Sequence, residues 1–294
     1  MLVFVLVSFY AAVNAFVLHP SFRSQPSFSS SSTATISTSL SPSSLQSSIS
    51  PLKDPYESYT LFEKLLFHRF AASVASEIDL QTSPSNYSQL ISTIQSLTHT
   101  SASFQEVNNA SKNMLTSLFP SWLLPQFKIL FASPFPQFSA WMNTWVTHLT
   151  TSWLMGKSTV VNLIVSVDEE SKSLLQDEEK KDQKAPFKVY RQQELVIEKC
   201  LFLETSGCLQ TCIHACKIPT QRFFSEDMGL PVTLLPNVTD YSCRFQFGVK
   251  PVPIEEDPIM LSPCLAKCTM KNVSGKRKMR LDGTKKVVPS CRLD

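Results

Sequence analysis

The chain has 294 residues, of which 43% are hydrophobic and 17% are charged, and its formal net charge is +3. This composition is typical of a globular protein, and so small a net charge predicts no nucleic-acid partner. Eight cysteines are too few at this length for the disulfide scaffold of a small secreted protein.

Two targeting segments are predicted at the N-terminus. Residues 1–15 form a short apolar run that ends in a small residue, which is typical of a signal sequence. Residues 16–52 are rich in Ser, Thr and Pro and contain no Asp or Glu, which is the composition of a transit peptide. Together they predict import into a plastid. The alternative is a secreted protein with a Ser-rich stalk, which would carry glycans at Asn86 or Asn237.

Residues 53–158 are predicted to be a helical region. Apolar residues recur with a helical period at Leu61, Leu65 and Phe70. Two further helices are predicted over residues 86–99 and 103–119.

An aromatic stretch, residues 119–156, contains all four tryptophans. Phe138, Trp141 and Trp145 share one face of a predicted helix. This face is either the buried side of a core helix or a wall for a long apolar substrate. Prolines break the start of the stretch into short pieces that could touch a membrane surface. Because no apolar run is long enough to span a bilayer, no transmembrane helix is predicted in the mature protein.

Strands are predicted downstream. Residues 159–167 are rich in β-branched side chains, and residues 187–203 could pair with them as a long hairpin. Shorter strands are predicted over residues 230–235 and 243–249. The predicted fold class is therefore α+β: a helical N-terminal half followed by a small antiparallel sheet with cysteine-bearing helices.

Cysteines with a four-residue spacing occur in two places. Cys208, Cys212 and Cys216 would form one slanted stripe on a helix that Pro219 ends. His214 would point away from this stripe. The segment SPCLAKC holds a second pair with the same spacing.

This spacing favours a soft-ligand site for iron, zinc or an iron–sulfur cluster, although it differs from the pattern of zinc ribbons. Buried free cysteines or disulfides are the alternative. The predicted metal ligands are Cys208, Cys212, Cys264 and Cys268, followed by Cys216 and Cys243.

An ordered series of motifs carries a family resemblance: IEKCLFLETSGCLQTCIHACKIPTQRFF, GLPVTLLPNVTDYSC, KPVPIEEDP and PCLAKC. This series resembles the plastid beta-carotene isomerase family of the strigolactone pathway. The resemblance implies a family domain over residues 159–272. Residues 273–294, which are rich in Lys and Arg, are predicted to form a basic tail. The resemblance also implies non-haem iron, either as a mononuclear ion or as an iron–sulfur cluster, and interconversion of all-trans- and 9-cis-beta-carotene.

Rotation about a polyene double bond requires that its bond order fall during the reaction. Thiolate addition, one-electron transfer with a metal, protonation and radical addition could each achieve this, and a thiolate-rich iron site serves the first two. Protonation would need a buried acid, for which Glu198, Glu204 and Glu255 are weaker candidates. The predicted function is an iron-dependent carotenoid isomerase. The alternatives are an iron–sulfur or iron-binding redox protein without isomerase activity and a non-enzymatic carotenoid-binding protein.

Overall fold

The computed structural model describes residues 54–101, 103–166, 187–263 and 265. The chain divides into Met1–Leu52 and a second compact unit, Lys53–Asp294, to which all the described residues belong. The predicted targeting segments, the basic tail, Cys264 and Cys268 therefore lie outside the described residues.

Helices make up the first half of this unit. They are α1 (Leu61–Glu77), α2 (Tyr87–Thr100), α3 (Phe104–Thr116), α4 (Leu123–Phe127) and α5 (Pro136–Met155). A 3-10 turn, Pro55–Ser58, precedes α1, and a π turn, Lys128–Ala132, continues α4. None of the helices in the described part of the chain is long and apolar enough to span a membrane.

Side-chain caps fix where the first three helices begin. Thr60, Asn86 and Ser103 each accept a hydrogen bond from a backbone N–H in the first turn of the helix that follows. At α1, the carboxylate of Glu63 also accepts a hydrogen bond from the backbone N–H of Thr60, which completes a capping box. These starts follow from local chemistry, because each cap lies within three residues of the N–H group that it accepts from.

Four antiparallel strands follow in the spatial order β1-β2-β4-β3. They are β1 (Ser158–Ser166), β2 (Phe187–Ile197), β3 (Val232–Pro236) and β4 (Cys243–Phe247). The prediction of an α+β fold, with a helical half before a small antiparallel sheet, is confirmed.

A helical connection joins β2 to β3. It consists of α6 (Leu201–Ser206), α7 (Leu209–Thr211), a π turn (Cys212–Lys217), α8 (Ile218–Arg222) and a second π turn (Phe223–Asp227). It packs against α2 and α3 and reaches β3, while α5 packs on β1, β2 and β4. After β4, two 3-10 turns, Ile254–Glu256 and Pro258–Leu261, complete the described chain.

Two local predictions in this connection were wrong. Residues 201–203 begin a helix instead of continuing β2, because the strand ends at Ile197. Pro219 does not end the helical run but lies in the first turn of α8, directly after a π turn. A proline has no N–H to donate, and the widened turn tolerates it because the regular i to i−4 hydrogen bonding is already interrupted there.

Candidate thiol site

Four cysteine side chains line one small cavity between the helical connection and the sheet. The cavity has a volume of about 10 Å³, and its cysteines are Cys200, Cys212, Cys216 and Cys243. These four residues are called the thiol cluster below. All five cysteines in the described ranges, which add Cys208 to this cluster, are free.

Strand pairing brings two members of the thiol cluster together. Cys243 begins β4 and pairs with Ile197, the last residue of β2. Just beyond that strand end, the backbone N–H of Cys200 donates a hydrogen bond to the carbonyl of Tyr241, at 2.7 Å. The register of the β2–β4 pair thus places these two cysteines side by side, although they are far apart in sequence.

The π turn supplies the other two members. Cys212 and Cys216 both lie in the turn Cys212–Lys217, which is wider than an α-helical turn. Both side chains face the cavity, together with that of Lys217. Single π turns within helices occur frequently at functional sites, because they change the direction in which neighbouring side chains point.

Burial controls the protonation of the thiol cluster. It raises the pKa of Cys200, Cys212 and Cys243, and it raises that of Cys216 to about 12. Neighbouring thiols add to the effect, because each would repel a second negative charge, whereas Lys217 opposes it at Cys212 and Cys243. All four thiols are therefore protonated at neutral pH unless a further positive charge is present.

A buried ion pair lies beside the thiols. The ammonium of Lys217, whose side chain is 1% exposed, pairs with the carboxylate of Asp257, whose side chain is 6% exposed. Asp257 also accepts a hydrogen bond from the backbone N–H of Ile259, at 3.1 Å, at the start of the last 3-10 turn. This pair fastens the C-terminal segment of the described chain to the wall of the thiol cavity.

A second cavity adjoins the first. It has a volume of about 40 Å³, and both cavities share Cys216 and Met155. Its other wall residues are mainly apolar: Phe70, Ile94, Met114, Leu115, Leu154 and Phe202. Cys216 is therefore the one member of the thiol cluster that borders both described cavities, one lined by thiols and the other by hydrocarbon.

The described residues contain no group of three or more His, Cys, Asp or Glu side chains arranged to hold a metal ion. The thiol cluster has the soft donor chemistry that iron and zinc prefer, but in this conformation its geometry does not fit a coordination site. Iron binding therefore remains a prediction.

Residues 153–256 match the family model of the beta-carotene isomerase D27-like C-terminal domain. This chain carries a D27-like domain. The family resemblance predicted from the motifs is thereby confirmed, and the thiol cluster, Lys217 and the β2–β4 pair all lie within the match.

Two curated relatives resemble part of this D27-like domain. Beta-carotene isomerase D27, chloroplastic, from Arabidopsis thaliana is 47% identical over 72 residues, which cover 24% of this chain and 27% of that protein. The protein of the same name from Medicago truncatula is 41% identical over 75 residues, or 26% of this chain and 30% of that protein. The matches thus span less than a third of either relative. No solved structure matches the chain significantly.

The predicted ligands have different positions in the D27-like domain. Cys212, Cys216 and Cys243 meet in the thiol cluster. Cys208 is buried but precedes α7 in an extended conformation and does not line that cavity. The predicted stripe of three sulfurs is therefore interrupted, because the helix does not include Cys208 and changes to a π turn at Cys212.

The three predicted acids do not line either described cavity. Glu198 forms an ion pair with Lys157 at 3.2 Å, and Glu204 forms one with Lys199 at 2.6 Å. Glu255 is exposed in the 3-10 turn Ile254–Glu256. A role for these acids in protonating a polyene stays a prediction.

The predicted aromatic wall lies where α5 meets β2. The indole N–H groups of Trp141 and Trp145 both point to Oε1 of Gln192, at 2.9 and 3.4 Å. The ring of Phe138 lies beside that of Trp141, with the ring planes tilted and the centroids 5.9 Å apart. All three side chains are half-buried, and none lines either described cavity, so the predicted substrate wall remains untested.

His214 faces away from the thiol cavity, towards α3. Its ring stacks on that of Phe104 with centroids 3.9 Å apart, and its Nδ1 lies 3.3 Å from Oδ1 of Asn108. Burial lowers the pKa of His214 to about 4. The histidine is therefore neutral at physiological pH and serves the packing between α3 and the π turn.

Sequence reasoning missed Cys200, Lys217 and Asp257 as parts of the site. Cys200 does not share the four-residue spacing of the other cysteines, and the fold alone brings it to the cavity. For Lys217 a signal existed, because a lysine directly after Cys216 could place a positive charge near a thiol. Asp257 lies in the quoted motif KPVPIEEDP, but nothing in the sequence pairs it with Lys217.

Proposed function

We propose that this protein is a plastid cis/trans isomerase of carotenoids that acts on beta-carotene or a related carotene. The observation that carries the proposal is the position of Cys216, which borders both a thiol cavity and an apolar cavity within a D27-like domain. The names of both relatives, chloroplastic beta-carotene isomerases, support the reaction class and the plastid location, and they favour the plastid over secretion.

The two cavities suit the two requirements of the reaction. A carotene is a hydrocarbon with nothing to hydrogen-bond, so its contact surface should be apolar, as the walls around Met114 and Phe202 are. Addition of the Cys216 thiolate to one carbon of a double bond forms a C–S bond and moves the π-electron pair of that bond onto the remaining conjugated chain. The former double bond is then single and can rotate. When the electron pair returns, the C–S bond breaks, the thiolate leaves and the double bond is restored, with no net change in atoms or electrons. Cys216 is the thiol placed to do this.

The protonation of the thiols supports a need for a cation. With its pKa near 12, Cys216 is a poor nucleophile at neutral pH, because the thiolate is the reactive form. A bound cation would favour the thiolate, since metal binding to cysteine releases protons. The proposal therefore includes non-haem iron beside Cys216, with Cys212, Cys243 and the predicted ligands Cys264 and Cys268 as donors that would have to rearrange from the described conformation, in which the thiols do not form a coordination site.

The described cavities must enlarge for a carotene to enter. Their volumes of about 10 and 40 Å³ are far below the roughly 300–1,000 Å³ of ordinary ligand pockets. Helices α1, α2 and α3 line the second cavity through Phe70, Ile94 and Met114. We therefore expect substrate binding to separate these helices from the π turn that carries Cys216.

The test is a product assay with matched cysteine variants. The unit that begins at Lys53 is incubated in the dark with iron and all-trans-beta-carotene in detergent, and the isomers are separated chromatographically against a chelator-treated control. Cys216→Ser should lower turnover at least about 100-fold, as is typical when a reacting group is removed. Cys208→Ser removes a thiol that is also buried but lies outside the cavity, so it should retain most of the turnover.

The two variants separate a chemical role from a structural one. Circular dichroism and urea unfolding show whether each variant folds. Equal loss of turnover in both folded variants would refute the special role of Cys216. A folded, iron-loaded wild-type protein that forms no new isomer of any carotene would refute the isomerase itself.

The second candidate is an iron–sulfur or iron-binding redox protein, which the convergence of four thiols favours. This function predicts a coloured cluster, a reversible reduction and indifference to carotenoids. Absorbance and redox titration of protein purified without oxygen distinguish it from the isomerase.

A further inference from the structure

The segment from Trp122 to Phe135 is apolar on both of its sides. Its inner side chains, Leu124, Phe127 and Ala132, are buried against the rest of the unit. Its outer side chains are Trp122, Ile129, Leu130 and Phe135, which are 57%, 65%, 55% and 58% exposed. These four outer residues are called the aromatic–aliphatic patch. A helical segment that is apolar all round is normally covered on every side, so the patch requires a covering partner.

Charge around the patch selects the kind of partner. Residues 107–167 contain no Asp or Glu, so the patch and its flanks carry no carboxylate of their own. The one charge within the segment is Lys128, which is exposed. Lys128 contacts Gly229, and the nearby carboxylates of Glu226 and Asp227 form ion pairs with Lys112 at 2.7 and 3.1 Å. The segment itself thus carries one positive charge and no negative charge, which is compatible with anionic groups.

The aliphatic part of the Lys128 side chain packs against Gly229. A Cβ at Gly229 would lie only 2.6 Å from Cγ of Lys128, so the stem lies directly against the glycine. Gly229 has a φ of +71°, which glycine adopts readily. A lysine whose stem is held against the protein can direct its ammonium towards polar headgroups while its neighbours enter the hydrocarbon.

The geometry points to docking of the aromatic–aliphatic patch on the surface of a lipid bilayer. Tryptophan and lysine flanking aliphatic side chains are the composition of an interfacial segment, and short helical pieces can lie in the plane of the interface. A protein partner would more commonly meet a polar rim with charges of both signs, which the segment lacks. This docking adds a lipid bilayer to the partners of the protein. If docking also gives the protein access to carotene dissolved in the bilayer, that part of the inference rests on the proposed function.

The test measures sedimentation with substrate-free vesicles. The unit from Lys53 onward is mixed with vesicles of phosphatidylcholine alone and of phosphatidylcholine with phosphatidylglycerol. The double variant Ile129→Ser/Leu130→Ser should lower the partition constant about tenfold or more, because two apolar side chains no longer enter the bilayer. Binding of the wild-type unit should be stronger to the anionic vesicles and weaker at high salt.

The sheet offers a matched control. Ile164 and Val189 are paired on β1 and β2 and are 63% and 48% exposed, so Ile164→Ser/Val189→Ser removes similar apolar surface elsewhere. This control should change vesicle binding less than about twofold. Brominated phospholipids should quench the tryptophan fluorescence of Trp122→Phe less than that of the wild-type unit, since the remaining tryptophans lie outside the patch.

Three results would overturn the inference. The first is no binding of the wild-type unit to either vesicle, and the second is an equal loss of vesicle binding in the two double variants. The third is a patch variant that changes only self-association, measured by ultracentrifugation. The last would assign the patch to a second copy of the chain. The two proposals fail separately, because vesicle binding needs no carotenoid and the isomerase assay in detergent needs no bilayer. A patch variant that retains turnover in detergent but loses it with vesicle-embedded carotene supports both.

Discussion

Asp54 lies at the start of the helical layer and Lys217 lies in the wall of the thiol cavity. The charges of these two side chains are stabilised by different numbers of partners. The carboxylate of Asp54 accepts four hydrogen bonds of 2.8–3.2 Å, from the backbone N–H groups of Tyr56, Tyr87 and Ser88 and from the hydroxyl of Ser88. Lys217 is nearly inaccessible and faces one carboxylate, that of Asp257. A charge with several partners tolerates the loss of one, whereas a buried charge with a single partner does not.

The largest effect is expected for Asp257→Asn. This change leaves the ammonium of Lys217 buried without a countercharge, which should reduce the free energy of unfolding by about 3–5 kcal/mol. Urea unfolding at pH 7 measures the loss. A reduction below about 1 kcal/mol would show that Lys217 finds another partner.

The double variant Lys217→Met/Asp257→Leu is the matched control. Because it removes both charges together, it should be more stable than Asp257→Asn, as replacement of a buried ion pair by apolar residues is often neutral. If it were as unstable as the single variant, loss of packing and not an unpaired charge would explain the result.

An intermediate effect is expected for Gly156→Ala, beside the thiol cavity. Gly156 ends α5 with a φ of +88°, and an added Cβ would lie 2.9 Å from the carbonyl oxygen of Lys199, next to Cys200. We expect a loss of about 2–3 kcal/mol from the strained backbone and the close contact. Thermal unfolding compares the stability of Gly156→Ala with that of Gly207→Ala, where φ is +52° and nothing lies within 4 Å of the added Cβ. That control should lose only about 1 kcal/mol, and equal losses would contradict the contact argument.

The smallest effect is expected for Asp54→Asn, at about 1 kcal/mol, because an amide oxygen can still accept some of the same hydrogen bonds. Burial raises the pKa of Asp54, but the hydrogen bonds from Ser88, Tyr56 and Tyr87 outweigh it and hold that pKa below its usual 3.8. A carboxylate with a lowered pKa stabilises the fold above its unfolded pKa and loses this contribution as the pH falls through the folded pKa.

Urea unfolding of wild type and Asp54→Asn at several pH values tests this sign. The difference in free energy of unfolding between wild type and Asp54→Asn should be constant above about pH 5 and shrink below about pH 4. A difference that grew on acidification would mean that Asp54 is protonated in the folded protein.

Elements that depend on local chemistry could be predicted from the sequence. The caps at Thr60, Asn86 and Ser103 and the β-branched run of β1 follow from neighbouring residues, and the structure contains helices and a strand at these places. The helix at Leu201–Ser206 could not be predicted in this way, because LFL is as compatible with a strand as with a helix. Packing against α2 and α5 decides between the two.

The aromatic stretch shows the same limit. Spacing correctly places Phe138, Trp141 and Trp145 on one helix, α5. It cannot show that the two indole N–H groups meet Gln192, because Gln192 lies at a β-bulge with a φ of +53° that exists only through the pairing of β1 with β2.

The sequence by itself determined the fold class, the family of the C-terminal domain and the presence of a cysteine-rich helical segment, since each of these is recorded in local patterns and ordered motifs. Only the tertiary structure decided which thiols meet. Cys208 and Cys216 are equally spaced from Cys212, yet only Cys216 joins the cavity, because a π turn begins at Cys212. Cys200 and Cys243 meet there because β2 and β4 pair in one register, and such long-range pairing leaves no trace in the spacing of residues.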